Sequence, residues 1–312
     1  MEYIVGIDVS KASLDCHNLQ DSTSWQVSND VNGWKALLKS LNTAKLIVVE
    51  ATGGYQEGLV DTLLAKNLPV AVVNPRQVRD FAKSAGRLAK TDRLDAEIIA
   101  RFGLALNPTP QTSLSEVKEL RDLVNYRDDL LKLCSAQKNR RQQYRDLAIR
   151  DSIQRSLDAL QQEIAWADEK IQAFIQTNKA IEAKATVLQA VKGVGPVLTA
   201  SLLGLLPELG QIDNKAIAAL AGVAPFNCDS GKYRGGRRIW GGRKAVRKTL
   251  YMSALVAKRY NPLMKAYYEQ LAARGKSFKV AIVACMRKLL VILNAKMRDY
   301  YNSNVAQEAK PA

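Results

Sequence analysis

A single hydroxyl, Ser230, stands at the mouth of the most cationic stretch of the chain, Asn227-Cys228-Asp229-Ser230-Gly231-Lys232-Tyr233-Arg234-Gly235-Gly236-Arg237-Arg238-Ile239-Trp240-Gly241-Gly242-Arg243-Lys244. From Asp229 to Lys248 the twenty residues include eight Lys/Arg, five Gly and one acid. Glycine lets another backbone come close, and many cations facing few acids are what a phosphate backbone requires. Lys232, Arg234, Arg237, Arg238, Arg243, Lys244, Arg247 and Lys248 are the expected phosphate contacts, on a flexible loop feeding a cationic helix. A serine in that setting either touches phosphate or attacks it. Ser-Gly pairs are ordinary loop residues, so the choice turns on what could activate the hydroxyl.

Imidazole is a poor candidate. His17 is the one histidine of the chain, which argues against a Ser-His-Asp triad and against a His-based metal site. Carboxylates are the alternative. Asp8 and Glu50 each end an apolar run, and Asp92 and Asp95, three apart near a helix start, share one helix face while Glu97 lies well round from both. Strand-end acids facing a helix with two more could line an oxygen-rich pocket for Mg²⁺ or Mn²⁺. Two such ions can stabilise both the attacking and the leaving oxygen of a phosphoryl transfer. Each acid also has a plainer reading, as turn chemistry after a strand or as a partner for the helix dipole.

The elements that must position these groups follow from the pattern. Residues 4–11 read as a strand, with further strands at 14–19 and 24–28 in a meander. Asn29 or Asp30 caps a helix over 31–41, 45–50 is a strand buried on both faces, a helix spans about 56–66, and 69–73 is another short strand. Thr91 is the expected cap of the helix bearing Asp92 and Asp95. Strands followed by strand–helix alternation indicate an α/β domain with a mixed sheet, ending near Pro108 and Pro110.

No Gly or Pro occurs from 111 to 192, a stretch of 82 residues, which predicts long helices. Val117, Leu120, Val124, Arg127, Leu131 and Cys134, and then Leu157, Leu160, Ile164, Ala167, Ile171 and Phe174, follow heptad spacing, so a coiled-coil arm is expected. The polar, basic middle at 138–150 holds the turn or a nucleic-acid face, and the two stripes can pair within a chain or across a dimer. Around Gly193-Val194-Gly195-Pro196 a helix–turn–helix resembles a helix-hairpin-helix, whose Gly193 and Gly195 amides would bind phosphate; close packing by glycine is the alternative. Helices at about 244–259, 262–273 and 277–299 complete the chain.

Charge distribution agrees with this division. The net charge is +16, with 12 basic and 12 acidic residues in 1–110, 14 and 12 in 111–192, and 20 and 6 in 193–312. A nucleic-acid face on the last third is the expectation. The four cysteines show no C-x-x-C spacing, so neither a disulfide framework nor a zinc ribbon is expected. With no signal-peptide pattern and no apolar run long enough to span a bilayer, a cytoplasmic, nucleoid-associated protein without membrane partners is expected.

Four motifs in order, Gly6-Ile7-Asp8-Val9-Ser10-Lys11, Glu50-Ala51-Thr52-Gly53-Gly54-Tyr55, Lys90-Thr91-Asp92-Arg93-Leu94-Asp95-Ala96, and Ala221-Gly222-Val223-Ala224-Pro225-Phe226 with Asp229-Ser230-Gly231, resemble the transposases of IS110-type insertion sequences. The resemblance spans essentially the whole chain. It implies a RuvC-like, RNase H-fold domain (1–110) with a DEDD quartet at Asp8, Glu50, Asp92 and Asp95, a coiled-coil arm (111–185), and an all-helical transposase domain (186–312) with Ser230 as nucleophile. It further implies a structured guide RNA (bridge RNA) that pairs with donor and target double-stranded DNA, and a homo-oligomer, dimer or tetramer, whose composite sites join one subunit's quartet to another's serine. Two other classes stay open: a metal-dependent, junction-resolving endonuclease in which water attacks, and a non-enzymatic RNA/DNA-binding scaffold.

Overall fold

The computed structural model describes residues 3–86, 92–111, 117–227, 229–231 and 233–308, with backbone alone for 92–94, 229, 230, 233, 234 and 305–308. Thr91 and Lys232 therefore lie outside the described residues. The chain divides into two compact units, 1–115 and 116–312.

In the first unit β1 (Ile4–Val9), β2 (Ser13–Asn18) and β3 (Thr23–Ser28) form an antiparallel meander. β4 (Leu46–Glu50) and β5 (Val70–Val73) then add in parallel beyond β1, giving the five-stranded mixed order β3-β2-β1-β4-β5. β1 and β4 are apolar almost throughout because both their faces are covered. Val5, Ile7, Ile47 and Val49 pack with Leu37 and Leu41 of α1 (Val31–Leu41) and Leu59 and Leu63 of α2 (Glu57–Leu64). Ile4, Leu46 and Val48 face the other way, into a second core with Val78 of α3 (Pro75–Ser84) and Ile99 and Phe102 of α4 (Asp92–Leu106). Of the two candidate caps for α1, Asp30 takes the role, accepting from the amides of Asn32 and Gly33; Asn29 donates instead to the carbonyls of Ser10 and Tyr55. The sequence reading has no counterpart to α3. Val78 is its one fully buried residue, so it carries no apolar stripe, and its signal is the local pair Asn74-Pro75, a side-chain cap followed by proline in the first turn.

The second unit opens with α5 (Lys118–Gln143) and α6 (Leu147–Thr177), joined at residues 144–146 and packed along each other as an antiparallel pair within one chain. Asp146 caps α6 by accepting from the Ile149 amide. The expected stripes form the seam: Leu120, Val124 and Cys134 are buried on α5, and Leu157, Ala167 and Ile171 on α6. At Arg127 the seam is polar, and its guanidinium donates from Nε and Nη2 to the Asp168 carboxylate at 2.5 and 3.2 Å. Toward its end α6 buries Ile175 more fully than Phe174, because a straight helix drifts off a seven-residue repeat.

α7 (Lys179–Gln189), α8 (Pro196–Leu205), α9 (Asn214–Leu220), α10 (Lys244–Tyr260), α11 (Pro262–Ala273) and α12 (Phe278–Glu308) enclose one core to which the bases of α5 and α6 also contribute. α8 sits at its centre, buried from Leu198 to Gly204. α12 turns Ile282, Cys285, Met286, Leu289, Leu290 and Leu293 inward at helical spacing. Asn294, also fully buried, accepts from the Gly210 amide at 2.7 Å and donates to the Ile212 carbonyl and Asn214 Oδ1, each at 3.0 Å. Every polar atom of that side chain is thereby matched.

Candidate active site

Backbone geometry brings the four acids of the first unit to one end of one face. Ile7 pairs with Val49 across the parallel strands, so Asp8 and Glu50 follow side by side at the two C-terminal ends. Side chains alternate along a strand, and Ile4 and Val48 belong to the core under α4, so Asp8 and Glu50 are on the α4 side. The direction of α4 comes from its glycines. A Cβ at Gly6 would lie 2.3 Å from the Ala96 carbonyl oxygen and 2.4 Å from the Ala100 nitrogen, whereas Gly103 lies over Val48 and Ile4. Moving from Ile4 to Gly6 thus means moving from Gly103 back to Ala96, and α4 runs antiparallel to β1. Two more strand residues, about 6.7 Å, equal about four residues of helix, which carries Asp8 level with the first turn of α4. Asp92 and Asp95 are in that turn. Glu97 lies off this face and bonds Arg101 at 2.8 Å.

Four carboxylates are hard oxygen donors, the kind that hold Mg²⁺ or Mn²⁺. Among the described residues no three His, Cys, Asp or Glu side chains close into a metal cluster, so Asp8, Glu50 and Asp95 do not complete a site by themselves. The side chain of Asp92, the fourth expected donor, is outside the described residues. His17 takes no part in this end of the sheet; it is buried in β2 beside Ser24, with Nδ1 and Oγ 2.8 Å apart.

In the second unit the glycine-rich stretch, expected as an open loop, is paired. β6 (Pro225–Phe226) pairs with β9 (Arg238–Ile239), and inside them β7 (Asp229–Ser230) pairs with β8 (Tyr233–Arg234). Ser230 pairs with Tyr233 and is followed by Gly231 at φ +55°. Two residues separate the ladders on the first side and three on the second, an offset of one. The hairpin is seated by the contact of Gly222 with Gly242: a Cβ on Gly242 would lie 2.2 Å from the Gly222 nitrogen.

The expected phosphate ligands divide into two sets. Arg243 forks onto Glu208 at 2.5 and 2.6 Å, Arg247 donates to the carbonyls of Gly222 and Gly241, and Lys248 bonds Asp128 at 2.6 Å. These three cations support the hairpin and the α5–α10 contact. Burial raises the pKa of Glu208 and the Arg243 hydrogen bonds lower it by more, leaving it below the ordinary glutamate value. Asp128 is likewise held low: burial works against it and bonds from Lys248 and Lys132 outweigh the burial. Arg237, Arg238 and Lys244 are exposed, and the side chains of Lys232 and Arg234 are outside the described residues.

Gly193 and Gly195 form the turn between α7 and α8. Gly193, at φ +98°, packs against α10, where an added Cβ would come within 2.8 Å of the Ala257 Cα. Gly195 has open space around it.

Sequence reasoning missed four cations, Lys276, Lys279, Arg287 and Lys288. They meet Arg237 and Arg238 along a groove of about 860 Å³ between β9 and α12. The signal was the spacing of Lys279, Val283 and Arg287, four residues apart on one helix face.

A family model for DEDD-type IS110 transposases, described as a transposase, matches residues 5–148, and a second, described as transposase of the IS116/IS110/IS902 family, matches 185–269. Across 95% of both chains the sequence is 28% identical to the pilin gene-inverting protein of Moraxella bovis and 27% identical to that of Moraxella lacunata. Against the 43.6 kDa insertion element IS110 protein of Streptomyces coelicolor it is 27% identical over 49% of this chain and 38% of that one. The first model spans all four acids; the second spans Ser230 and the hairpin.

Proposed function

This chain belongs to the IS116/IS110/IS902 family of transposases and is a DNA recombinase or transposase, and from that premise we propose that it exchanges DNA strands through a covalent link to Ser230. What supports the reading is that Asp8 and Glu50 end the adjacent strands β1 and β4 while Asp92 and Asp95 fall in the first turn of α4, together with a serine in a basic hairpin. The first unit is read as a RuvC-like, RNase H-fold domain. The second is read as a coiled-coil arm carrying a transposase domain with a helix-hairpin-helix-like turn. The relatives' name, pilin gene-inverting protein, fits a reaction that rejoins every strand it cuts.

In this mechanism the Ser230 hydroxyl oxygen attacks a DNA phosphorus. The Oγ–P bond forms, the P–O3′ bond breaks, and the hydroxyl proton is balanced by the one that ends on the 3′ oxygen. The phosphoserine ester conserves the energy of the phosphodiester, so reversal onto a different 3′ hydroxyl reseals the strand without ATP. Asp8, Glu50, Asp92 and Asp95 would hold magnesium or manganese, which would supply charge stabilisation to the phosphoryl transfer. Exposed arginines of the hairpin, Arg237 and Arg238, steady the developing negative charge. A structured guide RNA selects donor and target by base pairing, and the composite site joins one subunit's quartet to another subunit's Ser230. The setting is the cytoplasm, at the nucleoid.

Two experiments test this reading. Recombination with donor and target DNA and the RNA encoded beside the gene is expected to yield a protein–DNA adduct that disappears in Ser230→Ala; an adduct that persists overturns the nucleophile. Mixing inactive Asp8→Ala with inactive Ser230→Ala is expected to restore activity through sites shared between subunits. Failure of mixed oligomers to recover any activity overturns the composite site.

A further inference from the structure

The groove between β9 and α12 joins a cationic rim to an apolar floor. Its rim holds Arg237, Arg238, Lys276, Lys279, Arg287 and Lys288, and no Asp or Glu lines it. Among the described residues none of these six cations has a carboxylate partner, in contrast to Arg243 and Lys248. Lys288 lies 4.0 Å over the Tyr267 ring, which holds that cation at the groove wall. The floor is apolar, with Val280, Val283 and Ala284 half-buried or exposed along α12.

We propose that this groove binds an unpaired segment of the DNA strand that Ser230 attacks, with phosphates on the six cations and a base on the valine floor; this rests on the nucleophile reading above. Charge complementarity selects a polyanion. The floor then selects a single strand, because a duplex offers phosphates at its edge and keeps its bases stacked inside, whereas a splayed base has an apolar face to bury. Continuity with the hairpin selects the attacked strand. β9 pairs with β6 at the base of the same ribbon that bears Ser230, which follows Phe226 by four residues in the chain.

The test uses full-length Ser230→Ala protein, which binds without cutting, and fluorescence anisotropy with a twelve-nucleotide single-stranded DNA, the matching duplex and the matching single-stranded RNA across a salt series. Adding Lys279→Ala and Arg287→Ala is expected to weaken single-stranded DNA binding about tenfold and to reduce the log–log salt slope by about 1.4, two phosphates at about 0.7 each. Duplex binding is expected to change less than about twofold. Val283→Asp is expected to weaken the single strand as well, and thermal unfolding of each variant verifies that the fold is kept. An unchanged slope, or an equal loss on duplex, overturns the groove as a single-strand site; a loss confined to RNA overturns DNA as its occupant. The Ser230 adduct assay, run separately with groove variants that retain Ser230, distinguishes failure of the nucleophile reading from failure of the groove.

Discussion

Gly6 and Ala96 are in backbone contact: a single methyl at Gly6 would stand 2.3 Å from the Ala96 carbonyl oxygen. That closeness sets the depth at which α4 lies on β1, and so the separation of Asp8 from the first turn of the helix. Gly6→Ala is expected to destabilise the protein by about 3 kcal/mol, at the upper end of overpacking, and to lower recombination at least about tenfold. Gly103→Ala meets the tip of Val48 instead of backbone, at 2.5 Å, and is expected to cost only about 1 kcal/mol. Denaturant midpoints and recombination rates of the two variants check the contrast.

Acid should loosen the seat of the hairpin before neutral pH does. Glu208 has a folded pKa below its ordinary 4.5, so its bond to Arg243 contributes full stability above that value and loses it as pH falls through the lower folded value. Unfolding temperatures measured from pH 7 to pH 3 are expected to fall less steeply for Glu208→Gln than for the natural protein. Arg243→Ala at pH 7 is expected to cost about 1–2 kcal/mol, a figure kept small because both side chains are about one-third exposed.

Removing the Asn294 amide leaves the Gly210 amide and the Ile212 carbonyl without that partner in a fully buried setting. Asn294→Ala is expected to destabilise the second unit by about 2–4 kcal/mol, measured by urea unfolding with an unchanged m-value. Asn294→Asp still accepts from Gly210 but sets a buried carboxylate oxygen against the Ile212 carbonyl, and is expected to cost at least as much at pH 7.

Asp95 is the member of the proposed quartet on α4 whose side chain the structure describes, half-buried in the helix's first turn. Asp95→Asn keeps the shape and removes a negative oxygen donor. Calorimetric titration with Mn²⁺ is expected to show affinity reduced at least about tenfold, with recombination in Mg²⁺ lost and unfolding temperature little changed. Undiminished Mn²⁺ binding would remove Asp95 from the metal set.

The sheet was legible because β1 and β4 are buried on both faces, which leaves an unbroken apolar run that ends visibly at Asp8 and Glu50. The direction of α4 was not legible; it depends on where Gly6 of β1 touches α4 and where Gly103 of α4 touches β1 and β4. α3 escaped for a different reason, since one fully buried residue makes no periodicity. In the hairpin, glycine content argued for a loop, and ladders of two residues are too short to show alternation. Arg243 and Lys248 looked like phosphate ligands because their acids, Glu208 and Asp128, come from elsewhere in the chain. The groove cations were hidden in the same way, divided between residues 237–238 and 276–288.

The one-residue offset between the two small ladders makes the hairpin sensitive to length more than to composition. Deleting Gly235 or Gly236 would equalise the two sides at two residues each, letting the outer and inner ladders merge into one continuous register. Several substitutions at these glycines keep that spacing, whereas a single codon lost or gained does not. For the segment carrying position 230, the gene's tolerance is therefore governed by insertions and deletions: a counting constraint, written into the chain as the unequal arms of a loop.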